Sequence, residues 1–339
     1  MRATLAMEMA VAKIRWTNAA ACASNLSELE LSLGEVAGAV GDAEQSVTYA
    51  DHSGDAAMRV IMPTIHADAL HQAGRRAEAE ARFREAEEMQ EKRQPEYSLL
   101  YSVQGFRYCD LLLTEAERAA WQTCVAANWR SPQTARTHAD ARAKEDGGER
   151  QFAATTLLES CRTVEQRAAQ TLKWAEMGGQ GPPLDIALDH LTLGRAALYR
   201  AILEKSEIRN QKAQIELAVS GLYRAGTTHH VPRGLLTRAW LRSLTGARTG
   251  PESGQSDLDE AWEIAERGPM PLFLADIHLH RARLFGTRNA EFGARNEGLP
   301  YPWVSPQADL AAARALIESC GYWRRKEELE DAEAAAKHW

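Results

Sequence analysis

Apolar and small residues recur at helical intervals along most of this chain, most clearly in residues 65–89. There Ala67, Leu70, Ala79, Phe83 and Ala86 fall on the inner faces of two segments separated by Gly74-Arg75-Arg76. A period near 3.6, in a background dominated by Ala, Leu, Glu, Arg and Gln, predicts helices, and the β-branched clusters that mark strands are scarce. Small residues at Ala67 and Ala79 let two helices approach closely, with Leu70 and Phe83 filling the space between them. Gly74 suits the left-handed residue that ends the first helix.

Weaker copies of this unit surround it. Residues 31–50 form a short first pair. A third unit opens at residues 99–109, but its second helix is not visible. Residues 114–149 are rich in Ala, Thr, Arg and Asp, contain Ser131-Pro132 and end in Gly147-Gly148. They predict a long irregular connector, the most mobile part of the chain. A helix over residues 150–176 follows, stopped by the glycines and prolines of 178–183.

Beyond that point one pattern repeats at a constant interval. Leu193-Gly194-Arg195-Ala196-Ala197-Leu198, Leu236-Thr237-Arg238-Ala239-Trp240-Leu241 and Leu279-His280-Arg281-Ala282-Arg283-Leu284 share the template L-x-R-A-x-L, each starting 43 residues after the last. A fixed period of this size marks stacked helical repeats. Second helices are expected at 218–225, 258–266 and 310–319, ended by Gly226, Gly268 and Gly321. An insertion at 285–304 interrupts the period, and a charged helix in residues 322–339 closes the array. The domain division expected is 1–113 for the N-terminal repeats, 114–149 for the connector and 150–339 for the C-terminal repeats.

The order of small, bulky and turn residues in 65–89 resembles the tetratricopeptide repeat. Pro95 comes later than the closing proline of that family, which implies a longer second helix. The 43-residue period exceeds the roughly 34 of the tetratricopeptide family and also suits armadillo or HEAT helices. Residues 67–74 (ADALHQAG), 104–112 (QGFRYCDLL) and 188–195 (LDHLTLGR) resemble the repeat arrays of large bacterial signalling proteins. In those, the array often follows a STAND-type nucleotide switch or a TIR module. The G-x-x-x-x-G-K-[ST] loop that cradles phosphates does not occur in this sequence. The resemblance implies an all-α fold, a right-handed α/α superhelix of antiparallel helix pairs, acting as a non-catalytic scaffold or sensor that binds a protein or peptide.

Charge and cysteine usage narrow the picture. The formal net charge is −7 over 339 residues, which argues against an overall nucleic-acid or anionic-membrane footprint. No apolar run approaches the length of a membrane span, and the first residues lack the pattern of a signal peptide, so a cytoplasmic protein is expected. The five cysteines are scattered and form no C-x-x-C pair, so neither a disulfide framework nor a zinc site is read from them. No cofactor is expected, and the oligomeric state is open.

The candidate chemistry begins with Arg195, Arg238 and Arg281. Placed on the repeat, they occupy a position that in the resembled family points into the concave groove, where the first half of the chain has Glu35, Asp68 and Phe106. A row of guanidinium groups suits an acidic peptide or a small anionic ligand whose binding switches a partner or an upstream NTPase or TIR module. The competing expectation is that these arginines pair with acids on neighbouring helices, such as Asp189 or Asp276, and only hold the stack together. Trp121 and Trp129, inside the connector, are candidate anchors for a partner. Trp240 and Trp262 are expected to pack on each other. Asp276 and His280 stand four residues apart without an evident third metal ligand, and no nucleophile motif is present.

Overall fold

The computed structural model describes residues 4–5, 7–9, 15–126, 147–177, 181–208, 211–286, 301 and 303–339. Among these there is no strand. The fold is an all-α array in which consecutive helices pack as neighbours.

After helical residues at 4–5 and 7–9 come α1 (Trp16–Leu33), α2 (Val36–Ser53), α3 (Ala56–Gln72) and α4 (Arg76–Arg93). Short turns reverse the chain between them at glycines in the left-handed region, with φ of 81° at Gly34, 66° at Gly54 and 75° at Gly74. Asp55 caps α3, its carboxylate accepting from the backbone N–H of Ala57 at 2.8 Å and of Met58 at 3.0 Å. Each helix packs on the next, α1 on α2, α2 on α3 and α3 on α4. The alanines at the contacts, including Ala39, Ala43 and Ala69, are fully buried. Ala67, Leu70, Ala79, Phe83 and Ala86 are buried together in the α3–α4 pair as their spacing predicts, and Phe83 stacks on Tyr108 at 5.0 Å.

The helices that follow are α5 (Ser102–Ala126), α6 (Gly147–Glu176), α7 (Pro183–Glu204), α8 (Gln211–Ala225), α9 (Val231–Leu244), α10 (Gly254–Arg267), α11 (Pro271–Phe285), α12 (Pro306–Cys320) and α13 (Lys326–Ala336). The three L-x-R-A-x-L copies lie on α7, α9 and α11. Their template alanines Ala196, Ala239 and Ala282 are fully buried. Gly194 permits a close approach of α7 to α8, because a Cβ there would meet Cγ1 of Ile215 at 2.6 Å.

Residues 31–50 are not a pair of their own: the turn falls at Gly34, and residues 36–50 run through Gly41 as part of the single helix α2. Two further expectations differ from what is observed. Residues 114–126 are not an irregular connector but the second half of α5, with Ala116, Ala120, Trp121 and Cys124 buried. Their alanines and apolar residues keep the helical period, and tertiary packing overrides the Thr and Arg between them. Residues 127–146 lie outside the described residues. The second difference is in domain division. The chain forms two compact units, one of Met1–Leu111, Ala265–Asp276 and Ala312–Glu327, the other of Leu112–Ile264, Ile277–Ala311 and Glu328–Trp339. The grouping of 265–276 and 312–327 with the N-terminal helices is a long-range association that no local pattern encodes.

Candidate functional site

The three repeated arginines are the natural starting point, and each is engaged inside the second unit. Arg195 on α7 is 7% exposed; its Nη2 donates to Oε2 of Glu117 at 3.0 Å and its Nε to the Tyr199 hydroxyl at 3.0 Å. Arg238 on α9 donates through Nη2 to Oδ1 of Asp257 at 2.7 Å and through Nη1 to Glu216 at 3.2 Å. Arg281 on α11 is 5% exposed, with its Nε 3.1 Å from Oδ2 of Asp309 and its Nη1 donating to Gln255 at 2.6 Å. Its guanidinium carbon also lies 4.5 Å from the centre of the Trp303 ring. Burial pulls the Arg281 guanidinium below its ordinary range, the Asp309 carboxylate opposing that effect.

The arginines therefore face acids of other helices, though not the Asp189 and Asp276 named in the competing expectation. Asp189 shares α7 with Arg195 and instead accepts from the Thr171 hydroxyl of α6 at 2.7 Å. Asp276 belongs to the first unit, where it takes Nε of Arg325 at 2.9 Å and the Tyr322 hydroxyl at 3.2 Å. The acids that do serve two of the arginines sit at one equivalent place, the first turn of a second helix. Asp257 follows Ser253 in α10 and Asp309 follows Ser305 in α12, each aspartate N–H bonding to the serine carbonyl four residues back. The sequence holds the signal in Ser253-Gly254-Gln255-Ser256-Asp257-Leu258 and Ser305-Pro306-Gln307-Ala308-Asp309-Leu310, a shared S-x-Q-x-D-L. Its spacing differs from that of the arginines because of the insertion before α12. In the first copy the matching position is Gln214, whose Oε1 accepts from His190 Nδ1 at 2.6 Å, and Arg195 turns to Glu117 of α5.

The other predicted site residues divide in the same way. Asp68 is buried, 3.1 Å from Nε of Arg107 and accepting from Gln72 at 2.7 Å. Phe106 is buried at 3% exposure. Trp121 is no exposed anchor: it is 2% exposed and stacks on Trp240 at 3.7 Å, with His280 edge-on at 5.1 Å. Arg283, ion-paired to Glu328 at 3.0 Å, lies over the Trp121 ring at 4.9 Å. Trp240 thus packs on Trp121 rather than on Trp262, which meets Trp303 and His278 at 5.1 and 5.2 Å. Trp129 lies outside the described residues. Among the described residues of the set only Glu35 is exposed, in the turn before α2.

Within the first unit the same principle holds. Arg324 and Asp110 form a fully buried pair at 2.5 Å, and burial keeps the neighbouring His71 well below the ordinary histidine range. Arg107 bridges Glu28 at 2.5 Å and Asp68. Large apolar side chains, in contrast, remain on the surface: Leu29 at 51%, Leu33 at 45% and Trp323 at 45% exposure. Comparison with protein families, with curated proteins and with solved structures finds no match. The class defined by the fold and these pairs is an all-α array of helix pairs with an interior cross-linked by buried ion pairs.

Proposed function

We propose that this protein is a non-catalytic recognition scaffold that binds a protein or peptide partner on its helical surface. The observation that carries this reading is the division of labour between interior and surface. The repeated arginines and the buried acids that face them are matched to one another, while Leu29 and Leu33 on α1 and Trp323 in the turn before α13 stay exposed. Pairing of this kind fixes helices rigidly, and rigid helices with solvent-facing apolar side chains suit recognition better than chemistry. The rival, a sensor for a small anion held by Arg195, Arg238 and Arg281, draws no support from guanidinium groups already facing Glu117, Asp257 and Asp309.

The test is a thermal-shift comparison with the whole chain. A panel of phosphorylated and carboxylate metabolites is set against a library of helical peptides. A ligand specific for the native state raises the midpoint by mass action, so peptides should stabilise and metabolites should not. Saturable stabilisation by a metabolite, lost on replacing Arg238 by Gln, would reverse the assignment in favour of the anion sensor.

A further inference from the structure

The first helix pair has a distribution of charge and apolar side chains that core packing does not explain. Residues 16–55 hold seven Asp and Glu and no Lys or Arg, so the whole formal charge of −7 resides in this stretch. The rest of the chain is balanced. Helix α1 is also turned the opposite way from an ordinary surface helix. Its buried positions are the small residues Ala19, Ala20, Ala23, Ser24 and Ser27. Of its larger apolar residues Leu31 packs on the core and Trp16 on Tyr49, whereas Cys22, Leu26, Leu29 and Leu33 follow one another at intervals of four, three and four, which places them on one stripe. Cys22 and Leu26 are partly exposed, and Leu29 and Leu33 are 51% and 45% exposed. This is the seam that one helix offers to another when the two pack side by side.

Acids line one side of that stripe. Glu30 of α1 stands against Gly38 of α2, where a Cβ would meet its carboxylate at 3.0 Å. Burial, then the charge and hydrogen bond of Asp42, then the charge of Glu35 push the Glu30 carboxyl up to about 7. A cation brought to this edge would relieve that crowding.

We propose that the outer face of α1, with the edge of α2, docks an amphipathic helix of a partner protein that carries apolar residues at three- and four-residue spacing flanked by Lys and Arg. This names the class of partner for the recognition function above and rests on it. Charge selects among occupants. A second copy meeting this face with the same face would set Glu30, Glu35 and Asp42 against their own copies, and an anionic lipid surface would be repelled. A basic helix gains from both the stripe and the acids.

The probe is a synthetic helical peptide with Leu at three- and four-residue spacing and Lys at its other positions, beside a counterpart with Glu in place of Lys. Each is fluorescently labelled and titrated with the full chain. The Lys peptide should bind and the Glu peptide should not. Leu29→Ser with Leu33→Ser should weaken binding at least tenfold, as should Glu30→Gln with Glu35→Gln and Asp42→Asn, the latter also flattening the salt dependence. Both sets alter exposed or partly exposed positions, and a melting curve checks that the fold survives. As a readout independent of any variant, the bound Lys peptide should slow hydrogen exchange within residues 16–53. Equal binding of both peptides, or full binding by the Leu29→Ser/Leu33→Ser chain, overturns the proposal. So does self-association of the unaltered chain that this variant abolishes, because the occupant is then a second copy. If the variant still captures the same cellular partner as the unaltered chain, this face is wrong while the recognition function stands.

Discussion

Asp189 offers the sharpest test of how this fold handles buried charge. It lies in α7 at 7% exposure, with the Thr171 hydroxyl of α6 donating to its Oδ1 at 2.7 Å. Burial pushes its carboxyl up from 3.8 to about 7; the Thr171 hydrogen bond opposes the rise and the nearby Asp185 adds to it. Protonated, Asp189 can donate back to Thr171, whose hydroxyl then turns to the Ala168 carbonyl at 3.2 Å. The sign follows from proton binding. Between 3.8 and about 7 the folded chain keeps a proton that the unfolded chain has lost, so stability falls as pH rises through that window and levels off above it. At about 1.4 kcal/mol for each tenfold change in proton affinity, the full penalty is about 4 kcal/mol. Asp189→Asn keeps an acceptor for Thr171 and removes the ionisation. Urea denaturation should find the variant more stable than the unaltered chain by about 2 kcal/mol at pH 5 and about 4 kcal/mol at pH 8. A difference that stays constant across this range would refute the reasoning, because a packing effect has no proton to release.

Three further outcomes are expected. Phe83→Ala empties a fully buried site in the α3–α4 pair and should cost about 3–5 kcal/mol by chemical denaturation, a loss near zero ruling out the packing described. Replacing Arg195, Arg238 and Arg281 together by Gln removes the guanidinium groups that face the buried Glu117 and Asp309 and one of the two that face Asp257, Arg242 remaining there at 2.9 Å. Breaking even one such pair costs about 3–5 kcal/mol, so the triple variant should melt far earlier, and an unchanged melting temperature would show that the struts carry no stability. Glu30→Gln removes a carboxyl held up to about 7 from 4.5, a contribution to stability that is present below 4.5 and lost as pH rises toward 7. The variant should melt higher than the unaltered chain at pH 8 and alike near pH 4, and the reverse order would mean that Glu30 has a cationic partner.

The helices, their apolar faces and many of their ends were legible in the sequence. Local spacing alone placed Ala67, Leu70, Ala79, Phe83 and Ala86 together, because a helix of fixed pitch puts such residues on one face whatever surrounds it. The 43-residue template likewise put Arg195, Arg238 and Arg281 on corresponding first helices. Tertiary structure decided what those residues face. Glu117 lies 78 positions from Arg195 and Arg283 meets Glu328 across 45, distances over which no periodicity speaks. Trp121, which its surroundings in the sequence suggested for a solvent-exposed connector, became the stacking partner of Trp240 because α5 continues to Ala126. The grouping of residues 265–276 and 312–327 with the N-terminal helices has the same origin. Pitch and turn chemistry are properties of neighbouring residues and can be read in order, whereas the pairing of a buried charge depends on which distant helix arrives beside it.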